Sequence, residues 1–186
     1  MKTLETVQKI MNAGKIISKI VQICSLVAGI ISLVGVLSLV FIPDSFKLGG
    51  ITIHSMIENS KELNNSSVYY SLIVAIIFCI AYWFLGKTAN KYFQNEIMAG
   101  TPFTFEGAKE LQTLGLYTIC IPLIADFAKQ IVYQIMNRTI GGITDTPING
   151  YSSVFMGLLV VIIGLLCKYG AEILNNKDET NENISV

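Results

Sequence analysis

The sequence predicts an all-α membrane protein, a bundle of four transmembrane helices running up-down-up-down. Three observations carry that prediction. Of 186 residues, 52% are hydrophobic and only 14% are charged, whereas water-soluble domains carry about 25% charge; much of the surface must face something other than water. Four apolar runs take up nearly half of the chain, each approaching or exceeding the length of a bilayer crossing. The positive charges are distributed unevenly among the segments that join those runs.

Residues 1–15 are polar, with Leu4, Val7, Ile10 and Met11 spaced to one side. They read as a short helix at the membrane interface or a solvated lead-in to the first span. The first span is about 16–42. From Ile20 to Ile42 there is no charge, and such a stretch makes roughly 35 Å of helix, enough to cross a core of roughly 30 Å. It is too long for the apolar region of a signal peptide and lacks a small-residue cleavage site, so it reads as retained. The second span, about 68–85, has Tyr69, Tyr70, Tyr82 and Trp83 near its ends, where aromatic side chains suit the water–lipid boundary. The third is about 111–135 and the fourth about 151–167, continuing as helix to Leu174. The four spans make one transmembrane domain, 1–174. The tail, 175–186, is acidic and is expected to be disordered.

Nine basic residues (Lys2, Lys9, Lys15, Lys19, Lys87, Lys91, Lys109, Lys168 and Lys177) fall on one side of this arrangement, and three (Lys47, Lys61 and Arg138) on the other. The positive-inside rule then places both termini and the central link in the cytoplasm. The tetrapeptide Gly49-Gly50-Ile51-Thr52 recurs as Gly141-Gly142-Ile143-Thr144. It is either a trace of two parallel hairpin halves or a chance match in a Gly- and Ile-rich chain; if real, the two strips would pair as a small β-structure in the outer loops.

Lys and Arg balance Asp and Glu, which argues against direct nucleic-acid binding, since that needs a basic face. Cys24, Cys79, Cys120 and Cys167 all lie in apolar runs, unclustered and away from His54. They read as packing residues rather than metal ligands or a redox pair. Nothing matches a nucleophile with its base or a phosphate-binding glycine loop. The expectation is therefore a protein that is not an enzyme and takes no cofactor or metal.

One chemistry-bearing pattern lies within a span. Asp126, Lys129, Gln130, Tyr133, Gln134 and Asn137 recur at i, i+3, i+4, i+7, i+8 and i+11, a single polar stripe expected to face the bundle interior or a water-filled cleft. Ionisable groups at membrane depth cost several kcal/mol and mark candidate sites. The stripe reads in three ways: a polar pathway, a contact face for another membrane protein, or an ion pair near the outer interface. The other spans offer no partner at mid-depth, which argues against a pump.

In the central link, Gly100 and Pro102 break the helix continuing from the second span, and Thr104 is placed to cap the next, with Glu106 in its first turn. Phe103 and Phe105 are placed to anchor that turn. The Gly100-Thr101-Pro102-Phe103 turn, followed by Glu106, Ala108, Lys109 and Leu111, resembles the DUF2975 group of small bacterial four-helix membrane proteins of unknown function. Tyr169-Gly170-Ala171-Glu172, with Asp178 and Thr180 in the tail, resembles it too. The chain departs from that pattern at Leu174, Asn175, Asn176 and Glu179. The resemblance implies a multi-pass protein of the bacterial cell membrane, acting as a regulator or sensor beside a soluble helix-turn-helix regulator. Pro102, Phe103, Glu106, Lys109 and Glu172 are the residues expected to meet that partner. The alternatives are a small-molecule or peptide-handling component of immunity or export type and a structural subunit of a membrane complex. Membrane lipid is an expected partner in every case, and a homo-oligomer is open.

Overall fold

The structure, a computed structural model, describes residues 2–41, 47–48, 51–52, 65–100, 104–143 and 152–184. Its elements among these residues are four helices, α1 (Lys2–Phe41), α2 (Asn65–Ala99), α3 (Phe105–Thr139) and α4 (Ser152–Ile184), and one short pair of two-residue strands. The helices have 40, 35, 35 and 33 residues, about 50–60 Å each, while a hydrocarbon core is about 30 Å thick. Each contains a stretch long and apolar enough to cross a membrane, and each is also longer than a crossing needs. Only 11% of the apolar window of α1 is buried, and 28% of that of α3. Ile16, Ile20, Ile23, Leu26, Ile30, Leu33, Leu37 and Val40 are all exposed along α1. A surface that apolar would drive aggregation in water and is solvated by lipid.

Three differences from the sequence reading have physical causes. The lead-in and the first span are one helix, since no proline interrupts it and Gly14, its weakest position, stacks against the Phe93 ring. The tail expected to be disordered from Asn175 is helical to Ile184. No Gly or Pro follows Gly170 to stop the helix, and acidic composition alone does not end one. The two Gly-Gly-Ile-Thr strips do not pair among the described residues. Ile51–Thr52 instead pairs with Lys47–Leu48 in its own loop, Lys47 opposite Thr52 and Leu48 opposite Ile51. In the second strip Gly141, Gly142 and Ile143 belong to no strand, and Thr144 lies outside the described residues.

The chain divides into two compact units. One comprises Met1–Gln22, Phe84–Ile121 and Tyr151–Val186. Its buried residues include Ser18, Tyr92, Glu96, Ala108, Leu114 and Ala171. Gly86 meets the backbone of Ser18 and Gln22, and Gly115, Gly157 and Gly164 bring α3 and α4 into backbone contact. The other comprises Ile23–Trp83 and Pro122–Gly150. In it Tyr70, Val74, Phe78 and Ala81 form one inward face of α2 at spacings of four, four and three, the helical repeat of a buried stripe. Tyr69 Oη donates to the Leu39 carbonyl at 2.7 Å, and Gly29 lies against Cys79, tying α1 to α2 within this unit.

Candidate functional site

The α2–α3 turn is built by local chemistry. Gly100 has φ +74°, a left-handed conformation that glycine adopts without a Cβ penalty. Its N–H donates to the Glu96 carbonyl at 3.1 Å, closing the last turn of α2. Thr104 then starts α3 as an N-cap: its Oγ1 accepts from the Gly107 N–H at 3.0 Å and its carbonyl from the Ala108 N–H at 3.0 Å. Such a cap contributes about 1 kcal/mol. Glu106 sits in the first turn, where the helix dipole favours it. Pro102 and Phe103, the turn residues expected to meet a partner, lie outside the described residues. Glu106, Lys109 and Glu172, the other three, are all exposed, and so is Phe105.

Beneath that turn is a carboxyl the sequence did not single out. Glu96 is only 4% exposed. Its Oε1 occupies the space that a side chain at Gly107 would fill, and its Oε2 is buried with no hydrogen-bond partner. Beside it, Asn95 Nδ2 donates to both oxygens of Glu110, at 2.8 and 3.0 Å, locking α2 to α3. Tyr92, one turn back on α2 and also buried, faces Glu96, Glu110 of α3 and Cys167 of α4. The signal that could have found Glu96 is its register: four residues after Tyr92, it falls on the same helix face.

Glu96 lies eleven residues past Leu85, about 16 Å beyond the apolar stretch 68–85. Burial first, and the Glu110 carboxylate second, push its carboxyl above the ordinary value of 4.5, because desolvation and a like charge both disfavour the ionised form. The folded state therefore holds the Glu96 proton to a higher pH than the unfolded chain does. Between the ordinary and the raised value the folded state binds more protons, so stability falls as pH rises through that window. Thermal melts in detergent from about pH 4.5 upwards should show the midpoint of the native protein falling, at about 2–4 °C for each kcal/mol lost. Glu96→Gln, which cannot ionise, should flatten the slope; an equal slope in the variant would assign the titration to another group.

A groove of about 290 Å³ opens beside this cluster, lined by Thr88, Lys91, Tyr92, Lys109, Glu110, Thr113 and Tyr117. The Tyr117 ring meets Phe84 edge-on at 6.1 Å between centroids. The Thr88 and Thr113 hydroxyls donate back to the Phe84 and Lys109 carbonyls, at 3.0 and 2.9 Å. Both lysines are exposed, and neither is ion-paired among the described residues.

The intramembrane stripe divides in two. Asp126 and Lys129 are buried, at 6% and 8% exposure, and each has a partner. Tyr133 stands half-buried edge-on to the fully buried Tyr70 at 5.7 Å. Gln130, Gln134 and Asn137 are exposed. At 100° per residue the six positions span about 140° of arc. The buried Pro122, Ala125, Asp126 and Lys129 put the inward direction on one side of that arc and leave the amides at its outer edge. The six residues expected along one stripe facing the bundle interior or a water-filled cleft thus differ in burial, with Asp126 and Lys129 inward beside Tyr133 and the three amides exposed. Among the described residues no cluster of three His, Cys, Asp or Glu could hold a metal, and Cys24, Cys79, Cys120 and Cys167 are free thiols. No family model matches this chain, and no curated protein or solved structure is similar to it.

Proposed function

We propose that this is a non-enzymatic regulator or sensor of the bacterial cell membrane, which presents its α2–α3 turn to a soluble helix-turn-helix protein in the cytoplasm. In this reading the four helices cross the bilayer up-down-up-down with both termini inside. The nine-to-three distribution of basic residues supports that orientation. The bacterial setting and the identity of the partner rest on the resemblance to the DUF2975 group. The observation that carries the reading is the construction of the turn. Thr104 caps it, Asn95 and Glu110 brace it, and Glu96 fills it from below, while Glu106 and Lys109 stand exposed on its surface. Such bracing presents fixed charges at low conformational cost to a binding partner.

The test is co-purification from native membranes in mild detergent, comparing the native protein with Lys109→Glu/Glu172→Lys. The expected result is a small DNA-binding protein that is retained by the native chain and lost from the variant at equal membrane abundance. Equal retention by the variant would remove the turn from the interface. The alternative of a subunit in a membrane complex draws on Gln130 and Gln134, amides exposed on the flank of an apolar helix, where a neighbouring helix would satisfy them better than lipid. Capture of a membrane protein, with no soluble partner, would favour it.

A further inference from the structure

The groove beside the turn has a chemistry of its own. Its walls are mostly ring and methylene surface from Tyr92, Tyr117 and the lysine stems, and its charged groups are Lys91, Lys109 and Glu110. Both Glu110 oxygens accept from the Asn95 amide, and neither lysine is ion-paired among the described residues, so the groove holds two cations against one carboxylate. The position along the helices is equally specific. Thr88 and Lys91 follow the end of the apolar stretch at Leu85 by three and six residues, and Lys109 and Glu110 directly precede the one that begins at Leu111. At 1.5 Å per residue these groups lie within about 9 Å of the apolar boundary. A headgroup layer is about 5–8 Å deep on each side of the core, and a lysine stem reaches across the difference. Thr113 and Tyr117 continue the groove into the apolar stretch of α3.

We infer that this groove binds the headgroup of an anionic phospholipid, its phosphate held between Lys91 and Lys109 and the start of its acyl chain laid along Tyr117. Charge complementarity selects the occupant. Two cations against one carboxylate leave the groove net positive at the headgroup level, which attracts an anionic lipid. The Thr88 and Thr113 hydroxyls have already donated to their own helices and can only accept. A zwitterionic lipid would bring its own cation against both lysines and bind less well. The inference rests on the helices crossing a membrane; it does not depend on a soluble partner at the turn.

The experiment is native mass spectrometry of the full chain in neutral detergent, titrated with phosphatidylglycerol or phosphatidylcholine. The expected result is retention of phosphatidylglycerol at a concentration about tenfold lower or better, since each lysine near the surface gives several-fold. That preference should weaken as ionic strength rises. Lys91→Gln/Lys109→Gln should remove it, while the charge-matched Lys9→Gln/Lys168→Gln keeps it. Equal retention of the two lipids, or a preference that survives in Lys91→Gln/Lys109→Gln, would overturn the assignment. Displacement of phosphatidylglycerol by millimolar inorganic phosphate would overturn it too, in favour of a free-anion site. Lys91→Gln alone separates this site from the partner surface, because it should weaken lipid retention and leave capture of the soluble partner unchanged.

Discussion

Gly157→Leu should lower the melting midpoint of the protein in detergent by about 6–12 °C. A Cβ at Gly157 would run into the Ile119 side chain and come within 2.8 Å of the Gly115 carbonyl oxygen and 3.1 Å of the Ile119 amide nitrogen. The approach is reciprocal: a Cβ at Gly115 would lie 2.8 Å from the Val161 nitrogen and 3.0 Å from the Gly157 oxygen. One heptad on, Gly164 meets Gln112, with the backbone nitrogen 3.0 Å from where a Cβ would stand. Most of these neighbours are backbone atoms, which cannot swing aside as the tip of a side chain can. Helices in lipid gain little from apolar burial and associate through such close packing. Overpacking a core costs about 1–3 kcal/mol, and more where two backbones must part. A loss of about 3 kcal/mol corresponds to about 6–12 °C in a chain of this size. Melts in detergent, read with size-exclusion profiles, would measure it, with Met156→Leu as the control, since Met156 is 58% exposed one residue away. A native-like melt for Gly157→Leu would mean that α3 and α4 do not meet at these glycines.

How much of this was legible in the sequence differs between parts of the molecule. The four apolar runs were, because spanning length and absence of charge are properties of consecutive residues and need no tertiary information. The stop at Gly100 and the start at Thr104 were legible for the same reason: a left-handed glycine and a side-chain cap act within a few residues. The ends of the long helices were not legible, since Gly14 and the acidic tail are tolerated by a helix even though neither favours it. The direction of the third-span stripe was not legible either. Six polar residues covering about 140° of arc do not say which part of it faces inward, and only the burial of Pro122 and Ala125 separates Asp126 and Lys129 from Gln130 and Gln134. Glu96 was the least visible. Alone it is one acid among several in a charged link. Its burial depends on Gly107, eleven residues away, leaving room for it, and neither residue announces the other.

That dependence makes the pair testable. Gly107→Ala should destabilise the native protein, although alanine is the better helix former by about 1 kcal/mol. The new methyl would overlap the Glu96 Oε1 and come within 2.8 Å of the Glu96 Cδ and the Thr104 Oγ1. Glu96 has little room to retreat. It is nearly fully buried, and Tyr92 and Glu110 already stand around it. The expected cost is about 1–3 kcal/mol. Glu96→Ala on its own removes a carboxyl that has an unpartnered buried oxygen, so the apolar space it leaves is offset by the desolvation it relieves. The double variant should then recover most of what Gly107→Ala loses, because the colliding group is gone and the alanine regains its helical advantage. In a double-mutant cycle of melting free energies, the two substitutions should couple by about 1 kcal/mol or more. Purely additive effects would place Glu96 elsewhere than under the turn. They would also remove the bracing that holds Glu106 and Lys109 in position, leaving the turn with its Thr104 cap and the Asn95–Glu110 bonds alone.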